Sequence, residues 1–209
     1  MCTNHHFWSI KSAFTSMTTV EKIKIAKLIE AAFFVSDGPL SVKQIKTELL
    51  VNYQLNHQQI RDVIGELVIK YKNSGVNLVQ VASGYRFETI SELNEDLAIF
   101  VAKLTKEKAP KYSRALLETL ALIAYKQPIT RGEIEEIRGV AVSSYIIKTL
   151  LERNWVKVVG NKEVPGRPSL YATTKAFLDY FSLTSLSQLP ELLPMADLGA
   201  IDKPLQASV

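Results

Sequence analysis

The same punctuation occurs twice along this chain, 89 positions apart, and that repeat constrains the fold more than any other feature. Under the shift, Pro39, Leu40, Ser41 and Ile45 fall on Pro128, Ile129, Thr130 and Ile134. The preceding apolar positions register too: Leu28 on Leu117, Ala32 on Ala121, Phe33 on Leu122 and Phe34 on Ile123. A shared stop, cap and helical stripe at one period is the mark of a unit built twice. Each copy reads as helix, proline-marked break, helix, helix and β-hairpin.

In the first copy, Thr19 is read as the cap of a helix through EKIKIAKLIEAAFFV, with Ile25, Leu28, Ile29, Ala32 and Phe33 on one face. Asp37-Gly38-Pro39 stops it, Ser41 caps a short helix, and Asn56 caps a third with Ile60, Val63, Ile64, Leu67 and Tyr71 aligned. Alternation around Ser83-Gly84 predicts strands Asn77–Ala82 and Tyr85–Thr89. Ser91 opens a further helix, and Ala109-Pro110-Lys111 reads as a hinge. In the second copy, Ser113 and Thr130 cap two helices and Gly139 ends the second. A third helix is expected over Ala141–Arg153, with Val142, Ile146, Ile147, Leu150 and Leu151 facing inward. Strands Trp155–Gly160 and Ser169–Thr173, a helix from Thr174 and a short one from Ser185 complete it.

Helix-turn-helix followed by a two-stranded wing is a plan used both for reading DNA and for docking proteins. The expected fold class is mainly α with small β wings, an α+β arrangement of tandem winged helix-turn-helix domains. The expected organisation is a disordered or extended N-terminus over 1–18, a first winged-helix domain over 19–109, a second over 110–194 and a flexible tail over 195–209. Met17 is a plausible second start.

Charge argues against a DNA-coating body. The net charge is +4, of which 17–108 carry +1 and 109–194 carry +3. The third helix of the second copy turns outward Ser143, Ser144, Lys148, Thr149 and Glu152, a thin set of base readers. The corresponding first-copy helix offers a set of mixed sign, including Gln58, Arg61, Asp62 and Glu66. The best candidates for DNA contact are Lys157, Lys162 and Arg167 on the second wing. A solvated turn shaped by Pro165, Gly166 and Pro168 is the plainer reading of that wing.

The residues needed for catalysis are scarce. The only histidines are His5, His6 and His57, and Cys2 is the single cysteine, so no catalytic, cofactor or metal site is expected. Gly160 and Gly166 lack both the spacing and the Lys-Ser/Thr that a phosphate loop requires. Glu133, Glu135 and Glu136 read as a solvated face beside a positive helix end. No apolar run reaches the roughly 18 residues of a membrane helix. Aromatic residues instead crowd the second copy: Tyr125, Tyr145, Tyr171, Phe177, Tyr180 and Phe181. Aromatics of this kind favour a protein interface. Tyr125, Arg138, Tyr145 and Tyr171 are the candidate docking residues, and Tyr85 and Phe87 of the first wing the candidate dimer contacts.

The text LLETLALIAYKQPITRGEIEEIRGV, the block VPGRPSLYATTKAFLDYF and the closing SLSQLPELL resemble the bacterial segregation and condensation protein B family. LIEAAFFVSDGPLSVKQI and VASGYRFET in the first copy are similar to it more loosely, and the resemblance spans roughly Val20 to Pro194. It implies a non-enzymatic, cytoplasmic and nucleoid-associated homodimer acting in chromosome segregation, dimerised largely through the first module. The implied partner is the kleisin subunit, segregation and condensation protein A, and through it an SMC ATPase. DNA contact would be weak or indirect. The alternative is a winged-helix transcriptional regulator that reads DNA alone.

Overall fold

The computed structural model describes residues 18–105 and 112–191. The proposed hinge Ala109-Pro110-Lys111, the N-terminal segment before Thr18 and the tail beyond Glu191 lie outside the described residues. The chain falls into two compact units. Among the described residues, the first runs to Val79 and includes Gly84–Thr89; the second takes Gln80–Ser83 and those from Ile90 on.

The first unit opens with α1 (Thr19–Val35), then a short helix α2 (Val42–Gln44) continued by a wider π turn over Ile45–Leu49, then α3 (His57–Tyr71). A hairpin of β1 (Val76–Val81) and β2 (Gly84–Thr89) follows. The α1 cap is Thr18 rather than Thr19, because Glu21 sits three residues after Thr18 and closes a reciprocal box on it. The same box forms at Ser41 with Gln44 and at Asn56 with Gln59. Ile25, Ile29 and Phe33 of α1 pack with Ile45, Ile60, Ile64, Leu67 and Leu78 in one buried cluster.

The hairpin turns at Ala82-Ser83, one residue earlier than the sequence suggests. Gly84 is therefore the first residue of β2. A Cβ there would lie 2.2 Å from the Leu40 carbonyl oxygen, so only glycine lets the two backbones meet. Leu40 and Tyr85 exchange both backbone hydrogen bonds at that contact, each 2.9 Å.

A 3-10 turn (Ser91–Leu93) leads into α4 (Asn94–Thr105), and the rest of the second unit repeats the order of the first. It contains α5 (Arg114–Lys126), β3 (Ile129–Thr130), α6 (Arg131–Arg138), α7 (Ser144–Glu152), β4 (Val156–Asn161), β5 (Ser169–Thr173) and α8 (Lys175–Tyr180). Its sheet is antiparallel in the order β3-β5-β4, with Ile129 opposite Tyr171. Leu40 and Ile129, matched by the sequence repeat, thus make the same move: each bridges to the second strand of its own hairpin.

Helix α7 is shorter than the expected Ala141–Arg153. Gly139 turns left-handed (φ 69°), and the Val142 amide donates to the Glu135 carboxylate at 2.9 Å, so 139–143 form a loop. Ser143 then caps the helix. Val142 still fills the core, but from this loop, whereas Leu151 is 37% exposed rather than inward. The remaining core joins Leu120, Ile123, Ile134, Ile147, Leu150 and Trp155.

Candidate docking surface

Helix α5 buries Leu116, Leu120, Ile123 and Ala124, which leaves Leu117 and Ala121 on its outer face. Thr174 caps α8 by accepting from the Phe177 amide, and this orients Phe177 into the core and Phe181 toward the surface. After a left-handed turn at Ser182 the chain runs back along α5. The Tyr125 hydroxyl donates to the Pro190 carbonyl at 2.6 Å and holds that return segment in place. Between them lies an open apolar groove of about 390 Å³, whose walls include Leu117, Ala121, Tyr125, Phe181, Leu189 and Pro190. Among the described residues, no acid, lysine or arginine lines it. Such a groove takes apolar side chains of an extended segment and offers nothing to a phosphate.

The sequence-predicted docking residues do not converge on one surface. Tyr125 belongs to the groove just described. Tyr171 lines a second depression with Arg131, Ser144, Ile147, Lys148 and Leu151. Tyr145, 74% exposed, stands on α7. Arg138 is committed within the unit: its side chain is 10% exposed and donates to Glu118 Oε2 (2.9 Å) and Thr119 Oγ1 (3.3 Å). It joins α6 to α5. The Arg114 and Arg138 guanidinium groups together hold the Glu118 carboxyl below its usual range.

Tyr85 and Phe87, the predicted dimer contacts, are half-buried in the first unit. Phe87 stacks on Phe34 (4.4 Å between ring centres) and meets Tyr71 and Phe33 edge-on. Of the wing cations, Lys162 pairs with Glu133 at 2.6 Å and Arg167 with Glu163 at 3.2 Å, while Lys157 stays exposed. The hydrogen bond from Lys162, reinforced by Thr130, pulls the Glu133 carboxyl down to about 2. On α7, Lys148 pairs with Glu152 at 3.6 Å, and Arg153 lies over the Tyr112 ring at 4.8 Å. These pairings lower the positive charge available to a duplex.

Leu117, Ala121, Leu189 and Pro190 were not among the docking residues expected from the sequence. The signal for Leu117 is local: it is apolar yet falls outside the Leu116–Leu120–Ile123 stripe. Among the described residues no cluster of three or more His, Cys, Asp or Glu is placed to hold a metal ion. None of the described helices is long and apolar enough to cross a membrane.

Comparison with known proteins gives a consistent result. The family model described as "Segregation and condensation complex subunit ScpB" matches residues 27–192. The "Segregation and condensation protein B homolog" of Coxiella burnetii is 49% identical over 175 residues, which cover 84% of this chain and 82% of that protein. "Segregation and condensation protein B" of Syntrophotalea carbinolica is 37% identical over 86% of this chain and 87% of its own. The protein of that name from Carboxydothermus hydrogenoformans is 38% identical, with 84% and 91% covered.

Proposed function

The chain belongs to the segregation and condensation complex subunit ScpB family, and on that premise we propose that it is a non-catalytic accessory subunit of an SMC–kleisin complex. In this reading it is a homodimer of tandem winged helices that grips the kleisin subunit, segregation and condensation protein A. The kleisin in turn joins it to the SMC ATPase, where nucleotide hydrolysis occurs. The work is chromosome condensation and segregation at cell division.

The observation that carries the reading is the apolar groove beside α5. An extended kleisin segment loses conformational freedom on capture, which costs about 2–5 kcal/mol of the gross binding energy. Leu117, Phe181 and Leu189 offer apolar surface to offset that cost, at about 25 cal/mol per Å² covered. Tyr145 on α7 adds an exposed aromatic of the type enriched at interfaces.

The test is calorimetric titration of the chain with the central segment of the kleisin. Leu117→Glu puts a charge on the rim of the groove, at a position already 42% exposed, so the fold should survive. The expected result is at least a tenfold loss of affinity with an unchanged thermal midpoint. Unchanged affinity in the folded variant would remove the groove from the interface. A DNA-reading regulator predicts instead salt-sensitive duplex binding by the chain alone, lost on Lys157→Ala.

A further inference from the structure

Helix α4 carries an apolar seam that its own unit leaves largely uncovered. Leu93, Leu97, Phe100 and Leu104 follow one another at intervals of four, three and four residues. That is the a/d spacing of helices that pair along their length. Leu97 is half-buried, but Leu93, Phe100 and Leu104 are exposed, Phe100 by 56% and Leu104 by 66%. A 12-residue helix with such a face gains little from propensity alone, so a covering partner is expected.

The charges beside the seam identify the partner and its direction. With Leu97 and Leu104 at a and Leu93 and Phe100 at d, Asp96 and Lys103 occupy successive g positions on one flank. In a parallel pair each g residue faces e of the partner, which would set Asp96 beside Val101 and leave it without a cation. In an antiparallel pair, g faces g. Asp96 of each helix then meets Lys103 of the other, and both contacts are generated by a single two-fold axis. Leu93 lies opposite Leu104 and Leu97 opposite Phe100 in the same register.

We infer that α4 is the self-pairing element of this chain, docking antiparallel on α4 of a second copy through the Leu93–Leu97–Phe100–Leu104 seam and two Asp96–Lys103 ion pairs. This rests on the homodimer reading above and moves the contact away from Tyr85 and Phe87, which pack against the core of the first unit, Phe87 in a ring cluster with Phe34 and Tyr71.

Sedimentation equilibrium of the full-length chain tests it. Asp96→Lys and Lys103→Asp each replace two attractive contacts by two repulsive ones, and each should weaken dimerisation about tenfold. The double variant D96K/K103D should recover the original affinity. An equimolar mixture of the two single variants should form heterodimers, since every pair is again of opposite sign. Phe100→Glu should give monomers whose circular dichroism remains that of a folded chain. A wild-type chain that is monomeric at all concentrations would overturn both this inference and the dimer reading. A dimer indifferent to all three single substitutions would overturn this inference alone and leave the dimer standing. Single variants that weaken the dimer without rescue, in the double variant or in the mixture, would overturn the antiparallel register.

Discussion

Gly84 and Glu133 show how much depends on single side chains here. Gly84 is required by proximity, because any β-carbon would press into the Leu40 carbonyl, which cannot yield without breaking the Leu40–Tyr85 bridge. Gly84→Ala is expected to cost the first unit about 1–3 kcal/mol, read as a lower urea midpoint. Glu133 works through charge. It accepts from the Thr130 amide and hydroxyl at the start of α6 and from Lys162 on the wing. Its folded value of about 2 lies below the ~4.3 of an unfolded glutamate. The stability it supplies is therefore complete above about pH 4.3 and is lost as the pH falls toward 2. Urea melts at pH 6 and pH 3 should show wild type losing more stability than Glu133→Gln over that interval. Equal losses would mean the carboxylate contributes nothing in the folded state.

At the scale of elements, starts and stops were largely legible in the sequence because they are made by neighbours. Ser41, Asn56, Ser113 and Thr130 each cap the helix expected of them, since a cap needs only the next three residues. The beginning of α7 was not legible. It is set by the Glu135 carboxylate reaching the Val142 amide across seven residues, which no local pattern announces. The groove was half legible. Its aromatics stood out by number, but its far wall depends on the Tyr125 hydroxyl catching a carbonyl 65 residues away. The α4 seam was invisible for another reason: spacing of this kind reads equally as an internal core face, and only the exposure of Phe100 and Leu104 separates the two. Removing the Tyr125 hydroxyl with Tyr125→Phe should speed amide exchange at Leu189 and lower stability by about 1 kcal/mol. Unchanged exchange there would show that the return segment is held by packing alone.

For the whole molecule, duplication decides what the chain is suited to do. Each unit closes its own core, so the aromatic and aliphatic residues left outside are available to other chains. The cations of the second wing and of α7, by contrast, are mostly engaged with glutamates or aromatic rings. That balance favours a subunit that holds polypeptides over one that holds DNA. Tyr145→Ala should accordingly weaken kleisin capture while leaving the melting temperature unchanged, because the ring is 74% exposed. The most direct test of the central claim is the mass in solution of the chain mixed with the proposed kleisin partner, measured by sedimentation or native mass spectrometry. The account predicts a complex of two copies of this chain with one kleisin. A chain that stays single in the presence of the kleisin and instead binds a defined duplex would contradict it.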